Sequence, residues 1–361
     1  MRSCDLTKER LLEAIGALDV GQIKLMEVCG THTMAIAKAG IRSLLPESIS
    51  LLSGPGCPVC VTPAEVIDKV LELSMQPGIV IATYGDMVRV PGSVPGDSLM
   101  RRRALGARVE IVYSPVDAVS YAAKNPDIQV VFLGVGFETT APGTAAAIKL
   151  AEERGAKNFC VWSMLKTVEP ALRALTCMEG FDVQGFICPG HVATVIGETG
   201  FEFLPRDYSL PGVISGFEPE DILLSVYLLS KQISDGRAEI ENQYKRAVHK
   251  NGNPLALEMM KEVFTPRYDI WRGLGGIEGS GLEIKDRYAA FDAEKRFGIV
   301  PPADIPPVKT ACRCGDVITG RISPRECPLF SKRCVPEDPV GPCMVSSEGA
   351  CAAYYKYSEV I

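Results

Sequence analysis

The chain is poor in histidine and tryptophan, with three and two in 361 residues, and only 7% of it is aromatic. Positive charge is not in excess either: 38 Lys and Arg against 44 Asp and Glu leave a net charge of -6. A nucleic-acid footprint needs a basic face, so nucleic acid is left out as a partner. No apolar run approaches the roughly 20 residues of a membrane span, which leaves out a membrane as well. The N-terminus, "MRSCDLTKERLLEAIGAL", is charged and amphipathic where a secretory signal would be apolar. These absences predict a soluble cytoplasmic protein.

Cysteine, by contrast, is abundant: there are 13. Structural disulfides are rare in a reducing compartment, so this number calls for another account. Cys4, Cys160, Cys177 and Cys188 are scattered and read as small apolar residues. Cys29, Cys57 and Cys60 come early and share a context. Cys312, Cys314, Cys327, Cys334, Cys343 and Cys351 crowd the C-terminal tail, a density that belongs to metal or redox chemistry.

Apolar runs alternate with amphipathic stretches through the first two-thirds. "IKLMEV", "ISLLSG", "IVIATYG" and "VEIVYSP" are followed by "VVFLGVGF", "FCVWSML", "VQGFICPG" and "GVISGF". Helical patterns lie between several of them, at 62–75, 115–124, 141–154 and 168–178, with a further helix at 218–233. Continuous apolar strands alternating with helices predict an α/β class with parallel sheets covered on both faces. "AAKNPDIQ" near 122–129 breaks the strands into two sets of four. The expected layout is therefore two Rossmann-like α/β domains, 1–125 and 126–235. A C-terminal domain follows at 236–361, with a Cys-rich part at about 305–355 that needs cross-links or a metal centre to hold itself together.

Open α/β sheets present ligands at the carboxyl ends of their strands. "CGTHT", "GPGCPVC" and "TYGDMVRVPGS" follow the first three runs, and "GFETT" and "CPGHV" hold similar positions later. Within "SGPGCPVCVTP", Cys57 and Cys60 form a C-x-x-C at a helix N-terminus, where the free N–H groups favour thiolates. Such a pair can close a disulfide or bind a soft metal. Cys29 and His32, taken alone, suit a catalytic pair, half of a metal site, or packing. Because sequential strands are usually neighbours, Cys29, Cys57, Cys60 and His32 are expected to converge, as a soft-ligand site for iron, zinc or copper. Thr31 or Thr33 would cap the helix that starts there. Tyr84, Asp86, Arg89 and Glu138 are candidate acids, bases or supporting donors, or else caps and ion pairs. His191 is expected to face the first site across an interdomain cleft. In the tail, a 4Fe–4S cluster would take four of six thiolates and leave two for a redox pair; spacing alone does not choose the four. "ECP" resembles the Cys-Pro of bacterial ferredoxin ligands. Cys312 and Cys314 are too close in sequence for both to ligate comfortably.

Taken together, "CGTHT", "GPGCPVC", "GFETT", "PGHV" and "CRCGD…CP…C…GPCMVSSEGAC" resemble the HypD family of hydrogenase maturation proteins, from near the N-terminus to Tyr355. The resemblance implies two related α/β domains and a C-terminal domain with a 4Fe–4S cluster. It implies a scaffold, formed with the small chaperone HypC, on which the Fe(CN)2CO moiety of NiFe hydrogenases is assembled. HypE would deliver cyanide as a thiocyanate. Carried over, iron sits at the edge formed by Cys29, Cys57 and Cys60, with Cys29 a ligand and His32 adjacent. Cys57–Cys60 would be a first redox pair and Cys314–Cys343 a second dithiol relaying electrons. Cys312, Cys327, Cys334 and Cys351 would ligate the cluster. A free-standing iron–sulfur oxidoreductase acting on a dithiol substrate is the alternative, and a zinc-stabilised binding protein a third.

Overall fold

The structure is a computed structural model and describes residues 7–301, 304, 306 and 309–357. Its frame is two parallel sheets. The first takes β1 (Ile23–Glu27), β2 (Ile49–Ser53), β7 (Gly185–Pro189), β8 (Gly212–Ser215) and β9 (Ile240–Asn242), in the order β2-β1-β7-β8-β9. The second takes β3 (Ile79–Thr83), β4 (Arg108–Ile111), β5 (Gln129–Gly136) and β6 (Phe159–Leu165), in the order β4-β3-β5-β6. Every pairing in both sheets is parallel. The chain is thus of the α/β class, with two Rossmann-like sheets.

All residues of β3 and β6 are buried, as expected of strands covered on both faces. Helices start where local chemistry favours it. Ser114 and Asp117 form a capping box ahead of Pro115–Lys124, and Glu218 and Asp221 form one ahead of Pro219–Ser234. Both helices carry proline in the first turn, where its missing N–H has no partner to lose.

The strands do not divide at residue 125. The first two strands pair with the seventh and eighth, and the middle four make the second sheet, so the consecutive grouping expected from sequence is corrected. The break near 122–129 is a short turn into β5, beside β3, rather than a boundary. Residue 235 is not a boundary either. β9 extends the first sheet, and a hairpin of β10 (Phe264–Trp271) and β11 (Gly275–Ile284) docks beside β6. That dock rests on Ser163 Oγ donating to Leu282 O (2.5 Å) and on a buried ion pair, Lys166 Nζ to Asp269 Oδ2 (2.6 Å).

The largest apolar core joins both sheets to the Cys-rich segment. It contains Met26 and Phe186 of the first sheet, Ile81, Val131 and Trp162 of the second, and Cys314, Cys343 and Cys351 of the tail.

Candidate functional site

β1 ends at Glu27, and the helix Gly30–Lys38 begins directly after Cys29, its N-cap. The cap is therefore the cysteine and neither threonine. Thr33 Oγ donates to the buried Glu27 carboxylate (2.6 Å), and the Cys29 N–H donates to the other oxygen of that carboxylate (3.2 Å). Burial pushes the Glu27 acid up to about 7 and the Cys29 thiol up to about 12. Backbone N–H groups of His32 and Thr31, at the helix N-terminus, pull the thiol the other way.

β2 ends beside β1, and its "GPGC" turn folds over Cys29. Gly30 N donates to Gly56 O at 3.0 Å. A Cβ on Gly56 would collide with the backbone of Cys29, so glycine is required there. Cys57 follows as N-cap of the short helix Pro58–Val61, its sulfur accepting from Cys60 N at 3.2 Å. Cys57 and Cys60 stand at disulfide distance from each other, with Cα atoms 5.2 Å apart. Two sulfurs paired in this way leave Cys29 without them as a three-thiol set.

His32 is buried, and its ring stacks on Phe217 at 4.7 Å. His191 stacks on Phe217 at 4.0 Å. The two histidines therefore belong to helices that follow neighbouring strands of one sheet and do not face each other across a cleft between sheets. Tyr84 packs edge-on to Phe132 (5.6 Å), and Glu138 accepts from Val168 N (2.8 Å), capping a helix of the second sheet. Asp86 and Arg89 instead tie down the tail: Ser346 Oγ donates to Asp86 (2.8 Å), and Arg89 donates to Val345 O (3.3 Å).

That tether delivers Glu348 to the site. Thr31 Oγ donates to Glu348 Oε1 at 2.7 Å, and Gly30 lies so close that a Cβ would strike Glu348. Glu348 was not singled out in the sequence; an acid inside the cysteine motif "SSEGAC" was its only signal.

In the tail, Cys312, Cys327, Cys334 and Cys351 line one apolar pocket with Leu329, Phe330 and Met344. None of the four is paired with another. Cys312 Sγ accepts from Cys314 N (3.4 Å) and Cys334 Sγ from Val340 N (3.3 Å). A Cβ on Gly341 would fill the space against Cys312. Burial raises the Cys351 thiol well above its ordinary value, with Cys312, Cys334 and Cys327 adding to the shift, so these sulfurs sense one another. Cys314 and Cys343 line the same pocket and stand at disulfide distance, Cα atoms 6.3 Å apart. Among the described residues, no three His, Cys, Asp or Glu side chains are grouped to hold a single metal ion. The four sulfurs ring a cavity rather than a point.

The two cysteine regions touch. The helix Pro58–Val61 packs on Pro342–Met344 and on Cys314–Ile318. Arg272 clamps this junction, its backbone N donating to Val61 O (2.8 Å) and its guanidinium to Thr62 O (3.0 and 3.2 Å). Among the scattered cysteines, Cys160 and Cys188 are buried as expected, Cys177 is exposed, and Cys4 lies outside the described residues. No helix among the described residues is long and apolar enough to cross a membrane.

Comparison with known proteins finds relatives that match over nearly the whole chain. The family model described as "HypD: Hydrogenase formation hypA family" matches residues 7–358. The hydrogenase maturation factor HypD of Rhodobacter capsulatus is 46% identical over 351 residues, covering 96% of this chain and 93% of that protein. Its namesake in Azotobacter vinelandii is 45% identical, covering 93% and 89%, and that of Escherichia coli K12 is 44% identical, covering 93% and 90%. The chain belongs to the HypD family of hydrogenase maturation factors.

Proposed function

We propose that this protein is the cytoplasmic scaffold on which the Fe(CN)2CO unit of NiFe hydrogenases is assembled, working with a small HypC-type chaperone and, transiently, a HypE-type cyanide donor. The observation that carries the reading is the succession of sulfurs: Cys29 under the "GPGC" turn, the Cys57–Cys60 pair, the Cys314–Cys343 pair packed against it, and the ring of four.

The ring fits a 4Fe–4S cluster. Its four cysteines are free, backbone N–H groups point at the sulfurs of Cys312 and Cys334, and Gly341 clears the space beside Cys312. In this reading Cys312, Cys327, Cys334 and Cys351 hold the cluster, which supplies electrons singly when bound. The chain's own residues do the rest. A Cys314–Cys343 dithiol that closes to its disulfide releases two electrons and two protons. Cleaving a thiocyanate takes two electrons and one proton, and gives a thiol and cyanide. One turnover of the dithiol thus meets the electron demand of one cyanide, with one proton left over. Cys57–Cys60 is the pair nearest the cargo. Cys29 gives the iron cargo a soft thiolate, shedding its proton as the metal binds.

The test is the anaerobic infrared spectrum, with iron and sulfide counts, of the chain co-purified with its partners. The reading expects iron beyond the cluster's four, together with cyanide and carbonyl bands that vanish in Cys29→Ala. A cluster with no such bands would favour the free-standing dithiol oxidoreductase instead.

A further inference from the structure

His32 Nε2 lies 2.9 Å from the carbonyl oxygen of Gly216. A carbonyl only accepts, so the ring nitrogen facing it carries the proton. Nδ1 is then a bare lone pair, and it is buried with no hydrogen-bond partner among the described residues. A buried acceptor left unpaired on the helix that Cys29 caps points to a ligand that the chain does not itself provide.

Gly216 is held from behind. Its N–H donates to Gln243 Oε1 (3.0 Å), and Gln243 Nε2 donates to Asp221 Oδ1 (2.6 Å). Arg246 donates to both oxygens of Asp221, at 3.0 Å to Oδ1, and Glu218 N donates to Oδ2 at 3.3 Å. The Gln243 amide can point only one way, since its oxygen meets an N–H and its nitrogen a carboxylate. Gln243 is in turn pinned to β8, its N–H donating to Ile214 O at 3.0 Å. A Cβ on Gly216 would collide with the Asp221 carboxylate, so Gly216 sits tight against its support. The next residue, Phe217, lies between the His32 and His191 rings and sets the plane of His32.

We infer that Gln243, backed by Asp221 and Arg246, is a positioning residue that acts through the backbone of Gly216 to hold His32 as its Nε2–H tautomer, keeping Nδ1 free as the acceptor at the Cys29 edge. The purpose of that acceptor rests on the cargo reading above, whereas the tautomer is a property of the chain alone. None of Gln243, Asp221 and Arg246 touches the cysteines in this scheme; they act through His32.

The experiment is nitrogen NMR of the full chain labelled at histidine. Only three rings contribute, and His32 is assigned by its loss in His32→Gln. The wild-type ring is expected to show Nε2 protonated and Nδ1 bare. In Gln243→Leu the Nε2 proton should exchange with water at least about tenfold faster, the response to loosening roughly one hydrogen bond, and the other tautomer should appear. Iron and sulfide counts should stay at their wild-type values. Arg246→Leu, whose side chain is 55% exposed, should move the same signals and covers the case in which Gln243→Leu does not fold. A wild-type ring protonated at Nδ1, or unchanged signals in a folded variant, overturns the inference. A wild-type chain without iron or sulfide overturns the cluster instead and leaves the tautomer readable.

Discussion

Replacing Glu138 with Gln isolates a single buried charge. The Glu138 carboxyl is buried, one oxygen accepts from Val168 N at 2.8 Å, and the other has no partner among the described residues. Burial pushes the acid from 4.5 up to about 7. The folded chain therefore binds this proton more tightly than the unfolded one. The stabilisation is complete below about pH 4.5 and is lost as pH rises through about 7. A gap of about 2.5 pKa units corresponds to roughly 3 kcal/mol. With about 2.1 cal/mol/K of unfolding entropy per residue across the chain, that is a shift of about 4 °C in Tm, and more if a smaller unit unfolds by itself. Gln keeps the acceptor for Val168 and cannot ionise. Calorimetry should find the two chains melting together at pH 4 and the variant melting about 4 °C higher at pH 8. Glu27, also pushed up to about 7, tilts both profiles equally and drops out of the difference. A gap in Tm that is the same at both pH values would refute the reasoning.

Cys314→Ala should leave iron and sulfide counts intact while hydrogenase maturation is abolished, and Cys327→Ala should lose the cluster itself; loss of the cluster in the first variant would mean that the four ligands are wrongly chosen. Gly56→Ala drives a methyl into the Cys29 backbone, and overpacking of this kind costs about 1–3 kcal/mol, to be read as a lowered denaturant midpoint. Lys166→Met strands Asp269 in the core at a cost of about 3–5 kcal/mol, and Lys166→Met combined with Asp269→Leu should recover much of it, measured by a double-mutant cycle.

Strand positions were legible because a strand buried on both faces must be apolar throughout. β3 and β6 show that pattern without interruption. Pairing was not legible. The step from β2 to β3 leaves one sheet for the other, and nothing in "PAEVIDKVLELSMQPG" marks it, because the helix there would serve either crossover. The cysteines were legible as a group because six of the thirteen crowd into residues 312–351. Their company was not. Asp86 and Arg89 reach Ser346 and Val345, and Glu348 reaches Thr31, through contacts spanning more than half of the chain, and Gln243 and Asp221 look in sequence like ordinary surface residues. Glu138 drew notice as a possible acid, base or cap, and it is the cap that the structure shows, at Val168.

The interleaving of the sheets sets a clock on synthesis. β1 takes β7 as one neighbour, and Lys24 N reaches Gln184 Oε1 across a separation of 160 residues. At roughly 5–20 residues per second, β1 waits on the order of 10–30 s for that partner to leave the ribosome. All four strands of the other sheet are complete before then. The "CGTHT" edge is therefore finished late, against a half-molecule already folded, and a nascent chain cut short before β7 would carry Cys29 on an open strand edge. Newly made protein has an interval of about 10–30 s in which the Cys29 thiol is exposed before its own fold covers it.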